Sequence, residues 1–265
     1  MKKTLLGLLI VSILFTLFAT GCSSKKSGSE LTVGATPVPH AELLNLVKED
    51  LASQGITLKI VEFTDYVQPN SALISGDIDA NFFQHIPYLN SNGDWTAQLN
   101  SAFGVHIEPF GLYSSKINNI DDLPNGASIA IPNDPTNGGR ALLLLQSKGL
   151  ITLKDGAGLN ATSRDINSNP KNFRFRELEA ALLPRSLNDV DAAAINGNFA
   201  LQAGFNPIND ALIIEGADSP YVNIMVVRKG NEQDPKIIAL KNALLSQKVK
   251  DYITNNYNGG VVSIF

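Results

Sequence analysis

Cysteine is nearly absent: Cys22 is the only one in 265 residues. An internal disulfide is therefore excluded, and so is a cysteine-based metal cluster. Histidine is scarce as well. His40, His85 and His106 are the only three, and they are too widely spaced for a compact zinc motif. There is no Gly-x-Ser-x-Gly nucleophile turn, no phosphate loop ending in Gly-Lys-Ser/Thr, no Gly-x-Gly-x-x-Gly after a strand and no His-Glu-x-x-His. An enzyme is thus disfavoured, and no cofactor is implied. Basic residues number 21 against 25 acids, so no basic face is available for nucleic acid. Beyond the first 21 residues, no apolar run approaches the roughly 20 residues of a membrane span.

The N-terminus accounts for the lone cysteine. Lys2 and Lys3 precede an almost wholly apolar stretch, Thr4 to Thr20, which ends at Gly21-Cys22 and a Ser/Lys/Gly tether. That order describes a secretory signal, residues 1–21. A retained anchor helix is the alternative. Cys22 argues against it, because a free cysteine is usually a buried hydrophobe and this one has no core around it. Ala19-Thr20-Gly21-Cys22 resembles a bacterial lipobox, although Ala19 stands where Leu is more common. The expectation is a lipidated Cys22 followed by a tether over 22–30. Several acyl chains would anchor it, at ~0.8 kcal/mol per buried methylene. Loss of Lys2 and Lys3 with the signal takes the formal charge from −4 to −6.

Along the rest of the chain, strand and helix patterns alternate. Strands are expected at 31–34, 57–63 and 79–83, with helices at 41–54, 66–75 and, broken near Gly93, 86–100. A single extended run follows at 105–115. A second series has strands at 128–131, 172–178 and 191–195, with helices at 136–147 and 198–203. Extended segments at 211–215 and 224–228 precede a helix starting at Pro235, a residue suited to a first turn, and running to Tyr257. Residues 154–171 read as a loop. The order predicts parallel α/β sheets.

Two segments stand out. Asp79-Ala80-Asn81-Phe82-Phe83-Gln84-His85-Ile86-Pro87-Tyr88 puts aromatics and a histidine at a strand's carboxyl end, where α/β proteins place ligands. Phe83, His85 and Tyr88, with Tyr66 upstream, could wall an apolar slot. Equally, His85 could simply cap a turn, and Phe82 reads as core. The second segment is Pro132-Asn133-Asp134-Pro135-Thr136-Asn137-Gly138-Gly139-Arg140. Thr136 or Asn137 would cap the following helix, placing Arg140 in its first turn, against the macrodipole. A bound carboxylate would explain that cation. A salt bridge to a neighbouring Asp or a bond to a sheet-end carbonyl would explain it as well. Asn198 and Asn223 flank apolar strands. They could clamp a zwitterion or merely form turns.

These segments carry a family resemblance, together with Thr36-Pro37-Val38-Pro39-His40-Ala41-Glu42, Tyr66-Val67-Gln68-Pro69-Asn70 and Glu177-Leu178-Glu179-Ala180-Ala181. Leu183-Pro184-Arg185-Ser186, Asp189 to Asn198 and Ser219-Pro220-Tyr221 to Arg228 complete it. From about Leu31 to Tyr257 the chain resembles the methionine-binding lipoproteins of ABC importers, the MetQ/NlpA family. The resemblance implies a two-lobed periplasmic-binding-protein fold of type II, with a ligand cleft between α/β lobes joined by a hinge. Lobe 1 is expected over 31–112 plus 224–265, and lobe 2 over 113–223. It also implies a monomer, lipid-anchored on the extracytoplasmic face of the membrane, that hands methionine to an importer's permease and ATPase. By that match Tyr66, Phe83, His85 and Tyr88 hold the ligand side chain, Arg140 its carboxylate, and Asn198 and Asn223 its polar head. Phe199 departs from the pattern, standing where Tyr is common, as does Leu182-Leu183 where Gln-Leu is common. A methionyl dipeptide or another small amino acid is the alternative ligand. Metal delivery through His40, His85 and His106 is a more distant one.

Overall fold

A computed structural model describes residues 30–216 and 219–265. The expected signal peptide and Cys22 lie outside the described residues. Of the tether only Glu30 is described, as the first residue of β1 (Glu30–Ala35). After β1 come α1 (Glu42–Leu46), α2 (Lys48–Ser53), β2 (Thr57–Glu62), α3 (Gln68–Ser75) and β3 (Ala80–His85). Then α4 (Ile86–Asn90) and α5 (Gly93–Gln98) lead into β4 (Leu99–Ile107). The next series is β5 (Gly111–Tyr113), β6 (Ser128–Pro132), α6 (Pro135–Ser147), β7 (Thr152–Leu153), β8 (Ile166–Ser168) and β9 (Arg174–Leu178). It continues with α7 (Leu183–Ser186), β10 (Ala192–Ile195), α8 (Gly197–Gln202), α9 (Pro207–Asp210) and β11 (Ile213–Ile214). The chain closes with β12 (Val222–Arg228), α10 (Pro235–Leu244), α11 (Gln247–Tyr257) and β13 (Val262–Ser263).

The strands form two main sheets. One has the order β13-β4-β12-β3-β1-β2, the other β11-β5-β10-β6-β9, and β7 and β8 make a small separate hairpin. Neither main sheet is purely parallel. In the first, β12 runs antiparallel between β3 and β4. In the second, β5 runs antiparallel to β10 and β11. Both reversed strands lie next to a point where the chain changes sheets. The βα alternation predicts the parallel strands correctly, but it carries no information about these crossings.

Pro109 explains the first crossing. The sequence pattern reads 105–115 as one strand, yet β4 and β5 belong to different sheets, with residues 108–110 between them. Proline has no N–H to continue a ladder. Gly111 and Leu112, counted with lobe 1 from sequence, therefore pair in the second sheet. Asn223, counted with lobe 2, pairs in the first sheet with His85 and His106. Two expected helices are also broken: the first splits at Val47 and the last at Leu245–Ser246.

Each sheet has its own apolar core. Leu31, Val33, Leu43, Leu44, Phe82, Val105, Leu240 and Ile253 pack together on one side of the first. Leu112, Ile129, Ile131, Leu142, Leu145 and Ala194 do the same in the second. At ~25 cal/mol per Å² of apolar surface removed from water, such burial holds each sheet to its helices.

Candidate functional site

The two sheets meet strand end to strand end. The carboxyl ends of β3, β4, β6 and β10 and the amino end of the reversed strand β12 all deliver residues to one cavity. Tyr66, Phe83, His85, Tyr88, Arg140, Asn198 and Asn223 all line it. So do Gln84, Glu108, Asn137, Asn196 and Gly197. Ligands in α/β proteins collect at this kind of edge, outside the carboxyl ends of strands.

The first sheet supplies rings. Tyr66 lies between β2 and α3, and its ring centroid is 5.8 Å from Phe83, 5.9 Å from Tyr88 and 4.9 Å from Phe199. Tyr88 donates its hydroxyl to the Tyr66 carbonyl at 2.9 Å. Burial raises the pKa of both hydroxyls well above the ordinary tyrosine value, so they are donors. His85 is the N-cap of α4, and its Nδ1 accepts the Tyr88 N–H at 3.1 Å. The proton is thus on Nε2, which donates to Asn137 Oδ1 at 3.2 Å. Burial pulls His85 down to about 3, with Arg140 adding to the effect, so the ring is neutral near pH 7. The turn-capping and pocket-lining readings of His85 both hold.

The second sheet supplies amides and a cation. The N-cap of α6 is Asp134, whose Oδ1 accepts the Asn137 N–H at 2.9 Å. Neither Thr136 nor Asn137 fills that position, as the sequence suggested, because the acid preceding Pro135 reaches the free N–H first. Arg140 consequently falls in the second turn. The macrodipole fades within the first, so it does not explain a ligand there. What holds Arg140 is a carboxylate from within the chain. Its Nε donates to Glu215 Oε1 at 2.6 Å, and its Nη2 to Glu215 Oε2 at 2.5 Å and to the Glu108 carbonyl at 3.0 Å. The guanidinium also lies 4.1 Å over the Tyr221 ring. The salt-bridge alternative is therefore realised, with Glu215 as partner rather than an Asp, alongside the bond to a carbonyl at the end of a sheet.

Asn137 is a junction. Its Nδ2 donates to both Asp134 oxygens, and its Oδ1 accepts from His85 and, at 2.8 Å, from Asn196 Nδ2. Tyr66 donates to Asn198 Oδ1 at 2.5 Å. The Tyr66–Asn198 and His85–Asn137 bonds both run from one sheet's residues to the other's. Two buried polar atoms of this wall have no partner among the described residues: Asn196 Oδ1, an acceptor, and Asn198 Nδ2, a donor.

Behind the cavity lies a network that the sequence does not announce. Thr36 Oγ1 is 2.7 Å from His40 Nδ1, and His40 Nε2 donates to Asn223 Oδ1 at 3.1 Å. His106 Nε2 donates to Glu108 Oε1 at 2.8 Å, with His40 Nε2 3.4 Å from the same oxygen. Burial pulls His40 down to about 4. Burial alone would raise the Glu108 carboxyl, but His40, His106 and Arg140 outweigh it and hold it below the ordinary range. The ligating atoms of His40, His106 and Glu108 come within 4.8 Å of one another. His85 is not among them, so the three-histidine set considered from sequence is not assembled; its Nδ1 and Nε2 are committed to Tyr88 and Asn137.

The chain is similar to known proteins over nearly all of its described length. The model of the NlpA lipoprotein family matches residues 31–265. Membrane lipoprotein TpN32 of Treponema pallidum is 45% identical over 232 residues, 87% of each chain. Methionine-binding lipoprotein MetQ of Bacillus subtilis is 40% identical, covering 100% of this chain and 99% of its own. Among solved structures, a nutrient-binding protein from Burkholderia cenocepacia bound to methionine superposes with a TM-score of 0.85. It is 46% identical and covers 89% of this chain and all of that one.

Proposed function

Because the chain belongs to the NlpA lipoprotein family, we propose that it is the substrate-binding lipoprotein of an ABC importer, capturing methionine and delivering it to the permease and its ATPase. The carrying observation is the cavity itself: an aromatic wall from one sheet faces a wall of amides and a guanidinium from the other. A thioether packs against aromatic rings at ~0.3–1.5 kcal/mol per contact. An amino-acid head group needs buried donors and acceptors, and Arg140, Asn198 and Asn223 offer them. Asn198 Nδ2, buried without a partner among the described residues, suits a carboxylate oxygen.

The working parts are two lobes. One comprises residues 30–107 and 222–265, the other 111–214, and residues 108–110 serve as a hinge between them. A ligand that touches both lobes binds the closed form better than the open form, and that difference stabilises closure. The permease then reads the closed state. The task is binding without chemistry, by a monomer held at the extracytoplasmic face of the membrane through lipid on Cys22.

Three experiments test this reading. Mass spectrometry of ligand released by denaturing freshly purified protein should find methionine. Titration calorimetry with methionine, alanine and a methionyl dipeptide should rank methionine first; a far tighter dipeptide would keep the family and replace the substrate. Cys22→Ser should release the protein from membranes. A mutant that stays in the membrane pellet after alkaline washing would mean a retained helix instead.

A further inference from the structure

The buried network behind the cavity is built of atoms that ligate metal. One ring nitrogen each from His40 and His106 and one carboxylate oxygen of Glu108 lie within 4.8 Å of one another, and all three residues are buried. Glu108 Oε1 is 2.8 Å from His106 Nε2 and 3.4 Å from His40 Nε2. Ligands about 2.1 Å from one zinc ion stand roughly 3.0 Å apart at a right angle and roughly 3.4 Å apart at the tetrahedral angle. The two measured separations lie close to those edges, so small side-chain shifts admit an ion. Zinc has no geometric preference of its own and accepts a set with mixed angles.

Two further observations point the same way. A metal-bound imidazole is almost always oriented by a hydrogen bond from its other nitrogen. His40 has that partner in Thr36, whose Oγ1 lies 2.7 Å from Nδ1 in a fully buried position. The second is charge. No lysine or arginine side chain among the described residues forms a salt bridge with Glu108, and a buried carboxylate is costly without a cation. Two imidazoles with one carboxylate suit zinc and its transition-metal neighbours. Calcium and magnesium take oxygen ligands instead.

We propose that His40 Nε2, His106 Nε2 and Glu108 form a site for one zinc-type divalent ion at the root of the segment joining the two lobes. Each imidazole stays neutral when the ion binds. Its proton moves from Nε2 to Nδ1, and the Nε2 lone pair goes to the metal. Thr36, whose hydroxyl can donate or accept, then receives the Nδ1 proton of His40. Glu108 lines the cavity, so the cleft gives the ion a way in. His106 and Glu108 belong to the end of β4 and the residue after it, and His40 to the turn before α1. An ion held by all three staples these segments together and fixes the first residue of the hinge. The site is independent of which molecule fills the cleft.

The test is zinc titration of untagged, chelator-stripped protein in the absence of any amino acid. Cys22→Ser serves as the parent, which removes the one thiol as a rival ligand. Calorimetry should find one zinc ion per chain. Zinc should also raise the thermal midpoint, because it binds the folded state, and magnesium should not. Glu108→Gln and His106→Gln should each weaken zinc by roughly 100-fold or more, the upper end of what even a supporting partner of a ligand contributes, and abolish the rise in midpoint. A parent that binds no zinc overturns the inference, and so do variants that bind it as tightly as the parent, since the ion is then on the surface. If neither variant folds, anomalous diffraction at the zinc edge from crystals of the parent decides. A peak between His40, His106 and Glu108 supports the site, and a peak elsewhere or none overturns it.

Discussion

The two walls of the cleft are made in contrasting ways. The wall from the first sheet is mostly ring against ring: Tyr66, Phe83 and Tyr88 lie at centroid distances of 5.8–5.9 Å. The wall from the second sheet is anchored on carboxylates. Asn137 is held by both oxygens of Asp134, and Arg140 by both oxygens of Glu215. Rings can shift by fractions of an ångström at little cost, because dispersion contacts are individually small. A charged hydrogen bond cannot shift so far without loss. The comparison teaches a division of labour: a rigid wall that fixes what kind of head group enters, and a softer wall that fits the side chain.

Removing Arg140 should break the rigid wall most severely. Arg140→Ala strands Glu215, whose side chain is 14% exposed, as an unpaired and largely buried carboxylate. Breaking a buried pair from one side costs about 3–5 kcal/mol. Urea unfolding without ligand should register that loss, and methionine and alanine should bind equally poorly. If stability is unchanged and only binding falls, the Glu215 pair is incidental and Arg140 serves the ligand alone.

Acid should test the first-sheet side next. Burial holds His40 at about 4 and His85 at about 3, against 6.5 when unfolded. In that interval the unfolded chain takes up protons that the folded chain refuses, so stability falls as pH falls. The loss begins near pH 6.5 and is complete for His40 below about pH 4. His40 alone contributes on the order of 3 kcal/mol, at 1.36 kcal/mol per pKa unit. Glu108, held below its ordinary range, loses its share at still lower pH, in the same direction. Urea midpoints at pH 7.5, 6.0 and 5.0 should decline steadily, and His40→Gln should flatten the slope. A flat profile in the unsubstituted protein would mean that water reaches these rings.

The same contrast governs what could be read from sequence. The aromatic wall is local: Phe83, His85 and Tyr88 fall within six residues at the end of one strand, so pattern and chemistry coincide. The polar wall is assembled over long separations. Glu215 meets Arg140 across 75 residues, and Asn196 meets Asn137 across 59. No window of sequence contains both partners. Glu108 was invisible for a related reason, because His106 and Glu108 read as two positions of an ordinary alternating strand. The position of Arg140 in α6 is set by a local competition, since Asp134, Thr136 and Asn137 are all good caps and only geometry decides among them. The βα order is legible from periodicity, and proline's missing N–H marks the break at Pro109 within the extended pattern.

The smallest effect is also the sharpest test of the division, because it sits where the walls touch. Tyr66 belongs to the aromatic wall by its ring and to the polar wall by its hydroxyl, which donates to Asn198 Oδ1 at 2.5 Å. Tyr66→Phe keeps the ring and removes only the donor. Among the described residues Asn198 then loses its one carboxamide partner while its Nδ2 already has none, so it is free to rotate. Leaving a buried acceptor unsatisfied costs about 1–3 kcal/mol. Because the damage falls on the head-group side, methionine and alanine should weaken by the same factor. Tyr66→Ala removes the ring as well, and with it the contacts to Phe83, Tyr88 and Phe199. Methionine, whose side chain reaches the rings, should then lose more than alanine does. Calorimetry with both ligands on both variants reads the two roles separately. If Tyr66→Phe weakens methionine but spares alanine, the hydroxyl serves the side chain, and the walls do not divide the ligand as their construction implies.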